Sequence, residues 1–329
     1  MAISDTTMAG KICLVTGATA GIGEVTAREL ARRGATVVVV GRSQERCEAT
    51  VEAIRRDTGN DAVEFLRADL SSQEEVRRLA KEFLDRHDRL DVLINNAGAL
   101  FATRRESVDG IEMTFALNHL AYFLLTNLLL DTIKASAPAR IVNIASDAHE
   151  MVKDFDFDDP QGRSRYRRLG ADGQSKLAIA RYTFLAPFAH PALVQYAQSK
   201  LANLLFTYEL AGRLEGTGVT VNAVHPGFVA TNFTAGNGLF GWFMRRWASL
   251  LAMSPENGAK TSIYLATSPE VDGVTGQYFA KQKPIASSPA SRDESAARRL
   301  WQLSEELTGL SASRKDDAGD EHRGTRPGR

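Results

Sequence analysis

Short apolar segments rich in β-branched residues alternate along the chain with longer segments in which apolar residues recur every three or four positions. Strands are predicted at KICLVT from Lys11, TVVVV from Thr36, AVEFLR from Ala62, DVLIN from Asp91, RIVNIA from Arg140, VTVNAV from Val219 and at Gln277 to Ala280. Helices are predicted near residues 22–33, 43–57, 72–87, 111–134, 196–215 and 256–267. Near-continuous hydrophobic strands separated by helices indicate a parallel sheet covered on both faces. The pattern therefore predicts a single doubly wound α/β domain with a mostly parallel, seven-stranded sheet.

This alternation defines the main domain, and other regions depart from it. The predicted divisions are an N-terminal extension at 1–9, the α/β domain at 10–282, a helical segment at 283–310 and a tail at 311–329. The tail is polar and is predicted to be disordered. Within the domain, we expect an insertion at about 153–195 and a substrate cap at about 233–255. Ala296, Leu300, Leu303 and Leu307 recur at helical spacing, which predicts a docked terminal helix.

The charge balance and the cysteines exclude several classes of partner. Forty basic and forty acidic residues cancel, so no overall field attracts nucleic acid. Cys13 and Cys47 have no metal-ligand spacing, and no metal is expected. The start of the chain lacks a basic and apolar signal segment, and the stretch LAYFLLTNLLL from Leu120 is too short to span a bilayer. We therefore expect a buried helix there and a cytoplasmic protein that acts on a small molecule.

The sequence TGATAGIG follows the first predicted strand and begins the first helix. Glycines at this turn let the backbone approach a pyrophosphate, whose charge the helix N-terminus stabilises. The alternative is a glycine-rich turn with a purely structural role. The expected cofactor-binding residues of this motif are Gly17, Thr19, Ala20, Gly21, Ile22 and Gly23.

The ends of the second and third strands bear on the choice of dinucleotide. The second strand ends at Gly41, where many NAD-binding folds have a carboxylate for the ribose hydroxyls. Arg42 and Ser43 follow, and a guanidinium there would bind a 2′-phosphate, which favours NADP(H). The alternative is a solvated arginine at a helix start. After the third strand, Asp69 and Leu70 are expected near the adenine, although Asp69 could instead, or also, cap the next helix.

Six motifs in one order resemble the short-chain dehydrogenase/reductase superfamily from about Gly10 to Ala280. They are TGxxxGIG, NNAG with Asn96, Ala97 and Gly98, the Asn118 of LNHL, the Ser146 of VNIAS, YxxxK at Tyr196 and Lys200, and HPG with Pro226 and Gly227. The phrases SKLANLLFTYELAGRL and RRLWQLSEELTGL resemble its retinol dehydrogenase-like branch. The resemblance implies a Rossmann-type fold.

The resemblance also implies a catalytic role for four of these residues. Tyr196 would be the general acid/base, Lys200 would lower its pKa, Ser146 would bond the substrate oxygen, and Asn118 would hold a water molecule. A phenol has a pKa of about 10, and one positive charge at ~4 Å contributes about 4 kcal/mol at an effective dielectric of ~20. The charge of Lys200 alone could thus nearly suffice to lower the pKa of Tyr196 to near neutral pH. The further cofactor contacts implied are Tyr196, Lys200, Pro226, Gly227, Val229 and Thr231.

The pentapeptide QSKLA occurs twice, with Asp172 and Tyr196 at equivalent places. An aspartate is ionised at neutral pH and cannot protonate a carbonyl oxygen unless its pKa is raised far, so we assign catalysis to Tyr196 and Lys200. The first copy then belongs to an insertion of about 24 residues, the separation of the two lysines. If this insertion displaced Tyr196 from Ser146, the protein would instead be a catalytically impaired dinucleotide-binding sensor or scaffold. Taken singly, each of these residues also has a structural interpretation.

The segment GLFGWFMRRWASLLAM places Phe240, Phe243, Trp247 and Leu250 on one helical face. In relatives this region caps the substrate pocket, which implies a lipophilic carbonyl or alcohol. A weak membrane-surface contact and plain core packing are the alternatives. Relatives often pair through the helices that bear Asn118 and Tyr196, so a homodimer or homotetramer is expected. The resulting hypothesis is an NADP(H)-dependent oxidoreductase that interconverts a lipophilic alcohol and its aldehyde or ketone.

Overall fold

Eight strands form one sheet in the order β3-β2-β1-β4-β5-β6-β7-β8 in the computed structural model, which describes residues 7–167, 190–227 and 253–310. The strands are β1 Ile12–Thr16, β2 Thr36–Gly41, β3 Val63–Arg67, β4 Val92–Asn95, β5 Ala139–Ile144, β6 Val219–His225, β7 Tyr278–Ala280 and β8 Lys283–Ile285. All neighbours are parallel except β7 and β8. The predicted doubly wound, mostly parallel α/β fold is confirmed, with one strand more than expected.

The additional strand β8 arises from a tight turn that has no glycine. Ala280 pairs with Lys283, so only Lys281 and Gln282 join β7 to β8. Both have positive φ angles, 49° and 62°, as a two-residue hairpin turn requires. Such turns usually contain asparagine, aspartate or glycine. The sequence KQ therefore gave no signal for a hairpin.

The helices cover both faces of the sheet. They are α1 Gly21–Arg32, α2 Gln44–Thr58, α3 Gln73–Arg86, α4 Met113–Ala135, α5 Arg163–Tyr166, α6 Pro191–Arg213, α7 Pro255–Thr267 and α8 Glu294–Thr308. Helices α1, α2 and α7 bury residues such as Leu30, Ile54 and Leu265 on one face. Helices α3, α4, α6 and α8 bury their apolar sides on the other face. The active-site residues described below lie at the C-terminal edge of the sheet, between these layers.

Helix α6 begins five residues earlier than the predicted start at 196. Pro191 occupies the first turn, where its missing N–H costs no hydrogen bond, and the His190 side chain accepts a bond from the Ala192 N–H at 3.1 Å. The end of the predicted insertion, 191–195, thus belongs to the first turns of α6. Residues 168–189, which contain the first QSKLA copy, lie outside the described residues. So do 1–6 of the predicted extension, most of the predicted cap and the tail at 311–329.

The predicted terminal helix is α8, and it lies against α4 and α6. Leu300 and Trp301 are buried, and the Trp301 ring lies 4.9 Å from Phe123 and 5.9 Å from Phe206, measured between centroids. Burial of such aromatic surface is a large stabilising contribution. In a homodimer paired through this face of α4 and α6, as the sequence analysis expects, the second subunit would contact α8.

Helix α4 is the most apolar helix among the described residues. Over 23 residues it is long and apolar enough to cross a membrane by length and composition, with a mean hydropathy of 1.4 over its most apolar window. In the fold, 72% of that window is buried against the protein. The prediction of a buried helix around Leu120 is confirmed, but the whole helix is longer than the apolar stretch that predicted it.

Candidate active site

The Tyr196 hydroxyl is hydrogen-bonded to the Ser146 side chain. Tyr196 lies in the second turn of α6, and Ser146 follows β5. Ser146 Oγ accepts from the Ala148 N–H at 3.1 Å and donates to Asp147 Oδ1 at 3.1 Å. The insertion therefore does not separate these two residues.

Lys200 lies one helical turn after Tyr196 and is buried beside it. Its Nζ is 5.5 Å from the centroid of the Tyr196 ring and donates a 2.8 Å hydrogen bond to the Ile144 carbonyl at the end of β5. Asn203 Nδ2 donates to the same carbonyl at 3.2 Å. The sequence pattern YxxxK accounts for the first of these contacts, because residues four apart share a helix face.

The electrostatics of this pair differ from the prediction. Burial lowers the pKa of Lys200 to about 7. Burial also raises the pKa of Tyr196 above its usual value, the bond to Ser146 opposes this, and the Asp147 charge adds to it. The prediction counted the attraction between a lysine charge and a phenolate but not the cost of removing both from water. In the protein alone, therefore, the neutral form of the tyrosine is strongly favoured and the lysine can gain or lose its proton near neutral pH.

Asn118 lies in a π-helical turn, Ala116–Leu120, within α4. Its Nδ2 donates to the Ala99 carbonyl at 3.0 Å and to Ser199 Oγ at 3.1 Å, and its Oδ1 accepts from the Ala99 N–H at 2.9 Å. Such single π turns occur frequently at functional sites. The side chain thus holds the loop after β4 against the catalytic helix, and the expected water-holding role stays a prediction.

The glycine-rich turn and the NNAG turn are in close contact at the ends of β1 and β4. Gly17 has a φ of +65°, and a Cβ there would lie 2.8 Å from Ala97 Cα. A Cβ on Gly23 would lie 2.5 Å from Asn96 Nδ2. Thr16 Oγ1 accepts from the N–H groups of Asn96 and Ala97 at 2.8 and 3.1 Å. These contacts leave no room for side chains and present bare backbone at the start of α1, which fits the pyrophosphate of a dinucleotide.

Gly98 lies between this turn and Lys200. A Cβ on Gly98 would lie 3.2 Å from Asn118 Oδ1 and 3.8 Å from Lys200 Nζ. The strand order reverses between β1 and β4, the place where doubly wound sheets bind their ligands. The remaining predicted cofactor residues lie in two places. The start of α1 contains Thr19, Ala20, Gly21 and Ile22, and the loop after β6 contains Pro226 and Gly227. Val229 and Thr231 lie outside the described residues.

The predicted ribose pocket lies at the end of β2. A Cβ on Gly41 would lie 2.5 Å from Thr19 Cγ2, so the end of β2 packs directly against the glycine-rich turn. Arg42 is exposed, and Ser43 caps α2 by accepting from the Arg46 N–H. The sequence analysis missed Arg46, whose Nη2 donates to the Thr19 carbonyl at 3.1 Å. Arg42, just before α2, and Arg46, in its first turn, therefore both lie near the start of this helix.

Asp69 does not cap α3. Its Oδ1 accepts from the Ser71 N–H and hydroxyl at 3.0 and 2.7 Å, in the turn before the helix. The cap is Ser72, whose Oγ accepts from the Glu75 N–H. The helix begins at Gln73, two residues after Ser71, near which the cap hypothesis placed its start, and Asp69 is exposed beside buried Leu70.

A buried carboxyl group holds the start of the catalytic helix and was missed by the sequence analysis. Glu112 is fully buried, and its Oε2 accepts from the Phe115 N–H at 2.9 Å and from Gln195 Nε2 at 3.2 Å. Gln195 Nε2 also donates to the Pro160 carbonyl at 3.0 Å. Burial raises the pKa of Glu112. Its position before an apolar helix was an N-cap signal, but nothing local indicated a contact with the neighbour of Tyr196.

Two family profiles match the chain: "short chain dehydrogenase" over residues 11–154 and "Enoyl-(Acyl carrier protein) reductase" over residues 168–281. Human retinol dehydrogenase 13 is 42% identical over 316 residues, which cover 94% of this chain and 88% of the relative. The chain belongs to the short-chain dehydrogenase/reductase family. It is an oxidoreductase that acts on CH–OH groups, and the resemblance to retinol dehydrogenases is confirmed.

Solved structures agree with this membership in the short-chain dehydrogenase/reductase family. An uncharacterized protein from Mycobacterium paratuberculosis is 34% identical, with a TM-score of 0.66, over 92% of this chain and 94% of that one. The RhlG/NADP active-site complex from Pseudomonas aeruginosa is 27% identical, with a TM-score of 0.59, over 84% and 96% of the two chains. A nicotinamide dinucleotide is therefore the cofactor of this short-chain dehydrogenase/reductase.

The expectation of a cytoplasmic location is wrong for this short-chain dehydrogenase/reductase. Its relatives are retinol dehydrogenases, which are membrane-associated enzymes. The sequence argument considered a signal segment and one apolar stretch, and neither tests for membrane association. Helix α4 meets the length and composition of a membrane span, although most of it is buried in the fold.

Proposed function

We propose that this protein uses NADP(H) to interconvert a lipophilic alcohol, of the retinoid class, and its aldehyde or ketone, with Tyr196 as general acid/base. The observation that supports this most directly is the bond between the Tyr196 hydroxyl and Ser146, with Lys200 Nζ 5.5 Å from the tyrosine ring. These groups converge beside Gly98, at the end of the crevice that fits the dinucleotide. A sensor or scaffold with a displaced tyrosine is not favoured by this arrangement.

The chemistry follows from the protonation states of the site. A bound nicotinamide dinucleotide supplies or takes the hydride. Tyr196 donates its proton to the carbonyl oxygen during reduction and removes it from the alcohol in the reverse direction, while Ser146 orients that oxygen. A phenolate is costly in this buried site, and the protonated form of Lys200 offsets part of that cost, about 3 kcal/mol at an effective dielectric of ~20. Because its pKa is about 7, Lys200 can also pass a proton to Tyr196 near neutral pH.

The preference for NADP(H) rests on the charges near the end of β2. Gly41 brings no carboxylate, Arg42 is exposed there, and Arg46 holds the adjoining turn through the Thr19 carbonyl. Guanidinium groups bind phosphate through charge-assisted, often bidentate hydrogen bonds. A 2′-phosphate would meet two such groups, whereas the two hydroxyls of NAD(H) would meet no acceptor side chain from Gly41.

The substrate class is supported by the relatives. Human retinol dehydrogenase 13 is named for an apolar alcohol, and it aligns with nearly the whole chain. The segment predicted to cap the substrate has an apolar face of Phe240, Phe243, Trp247 and Leu250, which suits a lipophilic ligand. These cap residues lie outside the described residues, so they contribute a sequence argument only.

The test is a turnover assay of the purified full chain with all-trans-retinal, a panel of aliphatic and aromatic aldehydes and ketones, and either NADPH or NADH. The proposal expects reduction of retinal with NADPH, with a kcat/KM at least about tenfold higher than with NADH, the effect of one good phosphate contact. Small polar aldehydes serve as the control for apolar selectivity. Failure to reduce any member of the panel with either dinucleotide would refute the proposal.

A further inference from the structure

His119 is fully buried in the π-helical turn of α4, directly after Asn118, and it links two other helices. Its Nδ1 lies 3.3 Å from Asn203 Oδ1 on α6, and its Nε2 lies 3.0 Å from Ser304 Oγ on α8. The ring stacks on Phe115 at 5.2 Å between centroids. The π turn lets two consecutive side chains of α4 reach α6, because Asn118 bonds Ser199 one turn before Asn203.

The directions of these hydrogen bonds determine the histidine tautomer. Asn203 Nδ2 donates to the Ile144 carbonyl at 3.2 Å, so Oδ1, an acceptor, faces His119. Nδ1 must therefore carry the proton. Burial lowers the pKa of His119 to about 4, so the ring is neutral at pH 7 and its Nε2 has only a lone pair. Nε2 then accepts from the Ser304 hydroxyl, which shares its one proton between Nε2 at 3.0 Å and the Leu300 carbonyl at 2.8 Å.

The bonds form one chain that ends at the catalytic lysine. Ser304 donates to His119, His119 donates to Asn203, and Asn203 donates to the Ile144 carbonyl, which also accepts from Lys200 Nζ. A carbonyl oxygen has two lone pairs, and these two donors occupy both. If the Asn203 amide rotated, its oxygen rather than its NH2 group would face the Ile144 carbonyl oxygen. The surroundings of that carbonyl, which accepts from the Lys200 ammonium, would then change.

We propose that His119 is a positioning residue for Lys200, and that helix α8 takes part in catalysis because Ser304 supplies the hydrogen bond to Nε2 of this tautomer of His119. This inference rests on the proposed function of Tyr196 and Lys200. It gives α8, which lies remote from the dinucleotide crevice in sequence, a direct connection to the proton-transfer group. No local sequence pattern indicates it, because His119 and Ser304 are 185 positions apart.

The ionisable groups around Lys200 define what a pH measurement would report. Tyr196 lies on the same helix, and Tyr122 of α4 presents its ring 5.9 Å from Lys200 Nζ. Asp147, after β5, and Tyr278, on β7, interact with Tyr196. His119 contacts Asn203, Ser304 and the rings of three phenylalanines, so a variant of His119 affects the titration of Lys200 through Asn203.

The decisive experiment compares three full-length variants by the pH profile of kcat/KM for carbonyl reduction. His119→Gln keeps a polar group near Ser304 but loses the donor at the Nδ1 position, and Ser304→Ala removes the hydroxyl that bonds Nε2. His119→Asn places an amide nitrogen at the Nδ1 position, and that nitrogen is always a donor. We expect the pH of half-maximal kcat/KM to move by about half a unit or more in His119→Gln and Ser304→Ala, and to stay at the wild-type value in His119→Asn. A shift of one pH unit corresponds to a tenfold change in the protonation equilibrium.

Loss of stability alone must be separated from this effect. Trp301→Leu loosens the packing of α8 on Phe123 and Phe206 without removing a bond of the chain. Its profile should match the wild type even where its melting temperature falls as far as that of Ser304→Ala. If the His119→Gln and Ser304→Ala profiles superimpose on the wild type, or Trp301→Leu shifts equally, the inference is refuted. If Tyr196→Phe leaves turnover unchanged, it is instead the proposed function that fails.

Discussion

Lys200 Nζ donates a 2.8 Å hydrogen bond to the carbonyl oxygen of Ile144. This bond joins the catalytic helix α6 to the end of β5, two residues before Ser146. The same stretch of backbone therefore positions the lysine and the serine that bonds Tyr196. Under the proposed function, the sheet rather than a mobile loop fixes Tyr196, Lys200 and Ser146 relative to one another, which favours precise catalytic geometry.

The lowered pKa of Lys200 predicts a pH dependence of reduction. Below about pH 7 the buried amine carries a proton, which it loses as the pH rises through that value. The kcat/KM for NADPH reports ionisations of the free enzyme. It should therefore decline above about pH 7, with a slope approaching one decade per pH unit. A profile that stays flat from pH 6 to 9 would count against a role for the lysine charge.

The choice of dinucleotide should depend on Arg42. Arg42→Ala removes an exposed guanidinium beside Gly41, and we expect the ratio of kcat/KM for NADPH to that for NADH to fall about tenfold or more, as for a lost charge-assisted bond. Arg56→Ala changes an exposed arginine in the last turn of α2, the helix that follows Arg42, and is the matched control. Equal ratios in both variants would show that Arg42 does not bind the 2′-phosphate.

Asp91 should stabilise the fold in a pH-dependent manner. It is 2% exposed and accepts from Lys11 Nζ at 2.9 Å, Arg89 Nη2 at 2.6 Å and the Ile12 N–H at 2.9 Å. Burial alone would raise the pKa of Asp91, but these bonds outweigh it and lower the pKa. Since the folded pKa is below the unfolded one, the stabilisation is present above about pH 4 and is lost as the pH falls through the folded pKa.

Asp91→Asn should accordingly lower the free energy of unfolding at pH 7 by about 3 kcal/mol, as for other broken buried ion pairs. Urea unfolding of both proteins at pH 7 and pH 3 measures this loss, which should be smaller at pH 3. Asp85→Asn breaks an exposed pair with Lys81 and should cost less than about 0.5 kcal/mol. Comparable costs for the two substitutions would contradict the prediction.

Periodicity was sufficient to predict the elements of the sheet, because each apolar strand and amphipathic helix is a local pattern. It did not predict the hairpin at Lys281 and Gln282, where neither residue is typical of positive φ angles. The start of α6 was missed because Pro191 lies inside the segment assigned to an insertion. One error is a missed strand and the other a shifted helix start, and in both neighbouring contacts outweigh local preference.

The candidate site was predictable where its residues belong to a short motif, as for Tyr196 and Lys200. Residues that act through long-range contacts were not, because His119, Asn203 and Glu112 have no special spacing from the motifs they support. The pKa shift of Lys200 also required the structure, since burial cannot be deduced from a helix pattern alone. The sequence argument for a cytoplasmic protein failed because it had no signal for membrane association.

The central claim is that the Tyr196 hydroxyl is the proton donor. Tyr196→Phe removes only that hydroxyl, and Tyr208→Phe is the matched control on the same helix, where the hydroxyl bonds Ser287 at 2.8 Å instead. The measurement is single-turnover oxidation of bound NADPH by an apolar aldehyde at pH 7. The account predicts a rate about 10² to 10⁴ times lower for Tyr196→Phe and within about twofold of wild type for Tyr208→Phe. Equal rates for Tyr196→Phe and the wild type would contradict it.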